Sequence, residues 1–479
     1  MSEILWKSAD MVKAMEGRPV GQLPEGITGI SIDSRTLRKG EAFFAIKGDV
    51  FDGHDFATAA MAAGAGLLVV TEARLPALGK MQVPMIVVDD VLAALTRLGL
   101  ASRARSKAQI IAVTGSVGKT TTKEALRHVL SACGKVHASA ASFNNHWGVP
   151  LTLARMPEDA DYGVFEIGMN HHDEIRPLVK MVQPHVAAIT LIAPAHLGHF
   201  ANLEEIAVAK AEIFEGVMPG GYALLNRDDK RFKQLEALAT AAGVEHIATF
   251  GENARSTYKL RDLVMKTDCS CITVSIAGQE AAVKIGAPGR HIVQNMLAVL
   301  GAAHLVGADM TQVVLALGTL QAEAGRGAQY RLRHGDGTFT LIDESYNANP
   351  TSMRAALSLL EATEPQQHGE EVGRRIAVLG DMLELGKQSS KLHGDLARPI
   401  VDAKVNMLFI GGAHMSALKS AMPAEIHVEY REHVDELLPL VVKAVRPGDV
   451  VMVKSSKSIG FVKIVNALLK KYAVSEAAE

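Results

Sequence analysis

Apolar residues in this chain come in short dense runs separated by longer amphipathic stretches. Gln109-Ile-Ile-Ala-Val113, Tyr162-Gly-Val-Phe-Glu-Ile167, Val186-Ala-Ala-Ile-Thr-Leu191 and Gly221-Tyr-Ala-Leu-Leu225 are too short for helices and read as buried strands. Between them the spacing turns helical. Ala125, Leu126, Val129 and Leu130 share one face of a segment, and Leu203 to Phe214 forms another. Strands alternating with helices predict a mostly parallel sheet covered on both faces. A more strand-rich patch, about 246 to 285, interrupts that alternation.

The same pattern recurs on either side. Before residue 107, Ile30-Ser-Ile-Asp-Ser-Arg35, Glu41-Ala-Phe-Phe-Ala-Ile46 and Gly66-Leu-Leu-Val-Val70 read as strands, and Asp55 to Gly64 as helix. After residue 325, Phe339-Thr-Leu-Ile342, Arg375-Ile-Ala-Val-Leu379, Val405-Asn-Met-Leu-Phe-Ile410 and Asp449-Val-Val-Met-Val453 predict a second open sheet of Rossmann-like kind. It lacks Gly-x-Gly-x-x-Gly, which argues against a dinucleotide. The chain is therefore read as α/β in three domains. These are a small α/β unit over 1–107, a central parallel-sheet unit over 108–325 and a Rossmann-like unit over 326–479. The basic, Ala/Ser-rich stretch 101–107 is taken as a helix end and linker.

Length and composition agree with this. A chain of 479 residues exceeds one hydrophobic core. Net charge is −2 and aromatics are few, so neither a phosphate backbone nor stacked bases finds a matching surface, and no nucleic-acid partner is expected. No apolar run reaches membrane-spanning length, and the N-terminus does not read as a signal peptide. Cys133, Cys269 and Cys271 are an odd, small set that fits a reducing compartment. Cys269 and Cys271 read as neighbours on one strand face, too few ligands for a metal site. A cytoplasmic monomer is the expectation.

One stretch carries specific chemistry. Thr114-Gly-Ser-Val-Gly-Lys-Thr-Thr121 follows a buried strand and opens a helix. Backbone N–H groups freed by the glycines, with the positive end of the helix dipole, make a phosphate cradle. Lys119 reaches the β- and γ-phosphates and the Thr120 hydroxyl suits Mg²⁺. The spacing is the short Gly-x-x-Gly-Lys-Thr, since Val113 stands where the longer phosphate-loop pattern has a glycine. ATP or GTP is expected. Glu166, at the end of its strand, is a natural Mg²⁺ ligand beside that loop. His196 and His199 lie on the loop after the next strand. Asp343 ends a strand of the last unit, followed by a turn rich in donors and acceptors, Asn347, Asn349 and Pro350, with a helix expected from Thr351 or Ser352. Lys210, flanked by alanines on a helix, reads as a solvated side chain.

Further blocks fall in a telling order. Ser142-Phe-Asn-Asn-His-Trp-Gly-Val-Pro-Leu-Thr152, Glu166-Ile-Gly-Met-Asn170, Ala195-His-Leu197, Ala209-Lys-Ala-Glu-Ile-Phe214 and His291-Ile-Val-Gln-Asn-Met-Leu-Ala298 follow the phosphate loop as they do in the Mur ligases, which the chain resembles along nearly its whole length. That family joins amino acids to bacterial cell-wall precursors at the expense of ATP. Glu344-Ser-Tyr-Asn-Ala-Asn-Pro-Thr-Ser352 and Leu379-Gly-Asp-Met-Leu-Glu-Leu-Gly386 resemble the branch that adds D-alanyl-D-alanine to a UDP-muramoyl-tripeptide.

The resemblance implies roles for particular residues. Thr114, Gly115, Ser116, Val117, Gly118, Lys119, Thr120 and Thr121 would hold ATP phosphates, and Asn295, Arg326 and Asp343 the adenine and ribose. Lys210 would carry a carbamate and, with Thr120, Glu166 and His196, serve Mg²⁺. Lys119, Glu166, His196 and Lys210 would form the catalytic set. Ser34, Arg35, Lys47, Gly48 and His54 would take the UDP-sugar, Asn144 and Asn145 the muramoyl part, and Asn347 and Asn349 further substrate contacts. One departure stands out: the family's Lys-Gly-Ser near the C-terminus is Lys454-Ser455-Ser456 here, which puts the backbone of that loop in question. A sister ligase that adds a diamino acid would be expected to show Asp-Asn-Pro-Arg in place of Asn347-Ala-Asn-Pro350. A phosphate-loop kinase or nucleotide switch would need no amine substrate.

Overall fold

The computed structural model describes residues 3–78, 83–140, 142–195 and 197–472. Its spine is a nine-stranded sheet. The strand Gln109–Thr114 lies between Tyr162–Glu166 and Val186–Ile189, all parallel, with Val136–Ala138 beyond the first and Tyr222–Asn226 beyond the second. His246–Gly251 and Tyr258–Met265 continue the parallel order, and Ser270–Ile276 and Gln279–Ile285 add an antiparallel meander. The strand-rich patch at 246–285 is thus an extension of the central sheet. Both faces are apolar because both are covered: Ile111, Val113 and Val164 face one core, and Ile110, Ala112 and Phe165 the other.

The N-terminal sheet is small. Ile30–Ser31, Ala42–Phe44, Leu67–Thr71 and Met85–Val88 are parallel, and Arg18–Val20 closes one edge antiparallel. Helix Val91–Arg105 leads from it to the central sheet. Its Arg103 is buried and donates to the carbonyls of Val182 and Gln183 at 2.8 Å, at the C-terminal end of helix Ile175–Val182, where a cation is favoured.

The C-terminal sheet has six strands in the order Ala328–His334, Gly337–Glu344, Val450–Lys454, Arg375–Gly380, Met407–Gly411, His427–Arg431, only the first antiparallel. The two outermost strands were not expected from the sequence. They are half-exposed edge strands with charged residues interleaved, so no dense apolar run marks them. The helix expected from Thr351 or Ser352 begins instead at Pro350. Asn349 is its N-cap, the Asn349 side chain accepting from the Ser352 N–H at 2.9 Å, and the proline occupies the first helical position, where its missing N–H costs nothing. Among the described residues no helix is long and apolar enough to cross a membrane.

Candidate functional site

The C-terminal ends of the central and C-terminal strands face one cavity of about 540 Å³. The phosphate loop lines one wall. Gly115 and Gly118 have φ of +152° and +85°, so the turn requires glycine at both. Gly118 also passes so close to the Asn295 amide that a Cβ would strike it. The Ser116 N–H donates to Leu191 at 2.8 Å, and the Thr190 hydroxyl donates to the Val117 carbonyl at 2.5 Å, fixing the loop against the neighbouring strand. Lys119 folds back to donate to the Gly115 carbonyl at 2.7 Å. Burial lowers its ammonium pKa from the ordinary lysine range, with Glu166 opposing and Arg326 reinforcing the shift.

Glu166 is buried at the end of its strand and held from two sides. Thr120 Oγ1 donates to its Oε2 and Asn144 Nδ2 to its Oε1, each at 2.7 Å. Three of the expected residues therefore form one connected oxygen-rich group.

Lys210 is not solvated. It is 1% exposed, while the apolar Val208 on the same helix is 42% exposed. The solvated reading fails because the helix turns its alanine face, Ala207 and Ala211 included, toward the sheet and carries Lys210 with it. Burial, with the Lys119 charge nearby, holds the Lys210 amine well below the usual lysine range. His196 lies outside the described residues. His199 is described, its ring 4.5 Å from that of His171.

The opposite wall belongs to the C-terminal domain and the chain leading into it. Arg326, Asn347 and Asn349 line the cavity. Asn349 is the helix N-cap described above. Asp343 does not line the cavity: its carboxylate accepts from the Gly325 N–H at 2.7 Å and from the Ser345 hydroxyl at 2.6 Å, so it ties the linker to the strand end. Thr114 and Gly115 sit behind the lining, and Asn145 accepts from the Gly148 N–H at 3.0 Å at a helix start.

The N-terminal candidates lie apart from this cavity. Ser34 is half-buried, and Arg35 is exposed and paired with Asp33 at 2.7 Å. Lys47 and Gly48 are exposed, the Gly48 N–H closing a turn on Phe51 at 2.9 Å. His54 is buried with both ring nitrogens used: Nδ1 meets Asp52 at 2.6 Å and Nε2 accepts from the Thr71 N–H at 3.0 Å. Burial alone would raise the Asp52 carboxyl, but hydrogen bonds from His54 and Arg74 outweigh it and hold the pKa at about 2. His54 here orders the turn.

Several lining residues stood inside the quoted sequence blocks without an assigned role: Glu344, Tyr346, Lys454, His291 and Gln294. Lys454 Nζ donates to Glu344 at 2.9 Å and to the Asn347 carbonyl at 3.0 Å, a pair made by strands that align Glu344 with Lys454. Position at a strand C-terminus was the available signal for both. Burial lowers the His291 pKa, with Glu344 opposing and Lys454 reinforcing. The loop departure resolves simply. Ser455 is buried, its φ lies outside the left-handed region, and its hydroxyl donates to the Ser456 carbonyl at 3.1 Å.

Residues 26–103 match the Mur ligase family catalytic domain, 113–303 the Mur ligase middle domain, and 330–457 the Mur ligase glutamate ligase domain. The UDP-N-acetylmuramoyl-tripeptide–D-alanyl-D-alanine ligase of Rickettsia prowazekii is 31% identical over 91% of this chain and 94% of its own length. The chain belongs to the Mur ligase family. The enzyme of the same name from Escherichia coli is 32% identical over 92% of this chain and 94% of its own. A crystal structure of MurF from Acinetobacter baumannii superposes with a TM-score of 0.82 at 30% identity, covering 97% of this chain and 99% of that one. The three-domain architecture is that of this family.

The residues present fit a nucleotide and a hard cation. Ser116 Oγ is buried, lines the cavity and has no protein partner, as suits a phosphate oxygen. Thr120 and Glu166 offer only oxygen, the donor Mg²⁺ prefers. Among the described residues no group of three or more His, Cys, Asp or Glu that could hold a metal gathers. That is usual for Mg²⁺, which keeps waters and phosphate oxygens in its shell.

Proposed function

We propose that this chain is the ATP-dependent ligase that joins D-alanyl-D-alanine to UDP-N-acetylmuramoyl-tripeptide, forming the UDP-muramoyl-pentapeptide of peptidoglycan synthesis. The observation that carries the reading is the shared cavity, where Lys119, Thr120 and Glu166 of the central domain face Arg326, Asn347 and Asn349 of the C-terminal side. Its support is the near full-length likeness to ligases of that name.

A carboxylate is a poor electrophile and hydroxide a poor leaving group. ATP supplies the phosphoryl group that makes the tripeptide carboxylate an acyl phosphate, and Mg²⁺ neutralises charge on that group. Lys119 and the loop N–H groups bind and orient the phosphates and offset negative charge as it moves. Thr120 and Glu166 would hold the cation. Burial of Lys210, with the Lys119 charge nearby, favours its free base over the ammonium, and the free base is the form that would take up CO₂. Its amine nitrogen would bond the carbon and release a proton, leaving a carbamate that would offer oxygen donors to a cation. The Asn347–Asn349 loop and Arg326 stand where closure of the two walls would exclude water and so protect an activated acyl group from hydrolysis. The N-terminal domain, through Ser34, Arg35, Lys47 and Gly48, holds the UDP end. Domain limits near 107 and 325 give each substrate its own unit.

Phosphate release measured with ATP, UDP-muramoyl-tripeptide and D-alanyl-D-alanine tests this. Release that needs all three is expected. Release that proceeds without the dipeptide, or with a single diamino acid and the UDP-muramoyl-dipeptide instead, overturns it.

A further inference from the structure

Tyr346 stands where the two halves of the cavity meet. Its hydroxyl lies 2.8 Å from Ser142 Oγ, a side-chain contact between the C-terminal and central domains. The Arg326 guanidinium lies over its ring at 4.1 Å from the centroid, and the Lys457 ammonium at 5.1 Å. Its backbone N–H donates to Gly325 at 3.1 Å. Gly325, at φ +77°, passes so near that a Cβ there would sit 2.9 Å from that of Tyr346. Tyr346 is therefore fixed to the linker, and wherever the C-terminal domain sits, its hydroxyl goes too.

The contact leads directly to Glu166. The Ser142 carbonyl accepts from the Asn144 N–H at 2.9 Å. Asn144 in turn pairs its carbonyl with the Gly168 N–H at 2.9 Å and donates its amide to Glu166 Oε1 at 2.7 Å. Thr120 holds the other oxygen. Glu166 thus has one oxygen oriented by the phosphate loop and one by a segment whose far end is anchored on Tyr346.

We infer that Tyr346 is a positioning residue: seating of the C-terminal domain, through the Tyr346–Ser142 hydroxyl pair, sets the 142–145 segment and with it the orientation of the Glu166 carboxylate. The inference rests on the functional reading above for the meaning of the site. The coupling itself is a property of the chain. Both residues line the cavity from different domains, so the pair forms only when the two domains are together. An enzyme built this way completes its carboxylate geometry at closure and not before.

The test uses Tyr346→Phe, which keeps the ring under Arg326, and Ser142→Ala, each alone and together in the full chain. Two readouts are taken. One is hydrogen exchange of the 142–145 amides with ADP and Mg²⁺ bound. The other is ligation, with kcat separated from the KM for each substrate. Each single variant should lose protection at 142–145 and lower kcat roughly fivefold to tenfold, the range for one neutral hydrogen bond, with KM for ATP unchanged. The double variant should be no worse than either single one, because the two hydroxyls act as a pair. Ser142→Thr, which keeps a hydroxyl, should restore both readouts. Unchanged exchange in Tyr346→Phe, or additive losses in the double variant, overturns the inference. If the wild-type chain fails to ligate the named substrates, the functional reading falls, while the exchange experiment still decides the coupling.

Discussion

The central domain meets its two neighbours in different ways. Toward the N-terminal side it shares a hydrophobic core. Leu151 and Ala154, on the central helix Gly148–Ala154, are buried among Trp6, Met11, Leu95 and Leu98 of the first domain. Trp6 donates its indole N–H to Ala154 at 2.8 Å, and Arg155 reaches the Ile30 carbonyl at 2.7 Å. Toward the C-terminal side the described contacts are polar and surround a cavity. They include the Ser142–Tyr346 hydroxyls and the Gly198 N–H on the Glu384 carbonyl at 2.9 Å. An apolar core separates only with the loss of buried area. Polar groups on a wet seam exchange partners with water at little net cost. On that contrast we expect the N-terminal and central domains to behave as one base and the C-terminal domain to move relative to it. Damage to the first seam should appear as lost stability, and damage to the second as lost activity.

The largest effect is expected at the wet seam. Lys119→Ala should lower ligation by about 10²–10³-fold or more, the cost of losing one preorganised charge donor. Thermal unfolding should stay within a degree or two, because the lysine fills no core. A folded variant with near-normal turnover would remove the phosphate-loop assignment.

Lys210→Ala should be nearly as damaging, and it separates two readings of one side chain. A carbamate is a carboxylate at the end of a long stem. Formate or acetate in the buffer should therefore restore part of the activity to Lys210→Ala and none to Lys210→Arg, which fills the space with a cation. Full activity in Lys210→Ala would rule out any metal role, and inactivity without rescue would rule out the carbamate.

Leu151→Ala tests the dry seam. This side chain is fully buried, and its truncation should cost about 2–5 kcal/mol by chemical denaturation. The loss should appear in the unfolding of the N-terminal and central domains together, with KM for ATP little changed. Independent unfolding of the first domain would break the picture of a single base.

The same helix carries a pH dependence. His137 makes a 2.7 Å hydrogen bond to the Thr152 carbonyl, and burial pushes its pKa down to about 4, against a small opposing effect of that bond. The folded state therefore refuses a proton that the unfolded chain accepts near pH 6.5. Stability from this group is complete above pH 6.5 and is lost as pH falls toward 4, on the order of 1–3 kcal/mol. His137→Gln should flatten that limb of a stability–pH curve, and an unchanged curve would show that His137 does not cause it.

Arg35→Ala should be the mildest. The side chain is exposed, so stability should be essentially unchanged. KM for the UDP-peptide should rise severalfold with KM for ATP unmoved. The reverse pattern would reassign the N-terminal domain.

Legibility in the sequence followed local physics. The phosphate loop could be read because strand, glycines, lysine and helix start are contiguous and each has a fixed job. The place of Glu166 and the Asn347–Asn349 loop on the cavity could be read because both follow strand C-termini, which face the crevice of an open α/β sheet. Strands 328–334 and 427–431 could not, since an edge strand needs no continuous apolar run. His54 was legible as a residue of note but not as a turn-ordering group, because its partners Asp52 and Thr71 come together only through the sheet.

By itself the sequence determined the three α/β units, the strand–glycine turn–helix over 109–130 and the family, all of which rest on short-range pattern or on blocks in order. The tertiary structure decided which face of the 203–211 helix turns inward, and so buried Lys210 and exposed Val208. It decided that Asp343 ties down the linker and that Tyr346 reaches Ser142, 204 residues away in the chain. It also decided that one seam is dry and the other wet. These are facts about which surfaces meet. They depend on packing between elements distant in sequence, where no single residue's preference prevails.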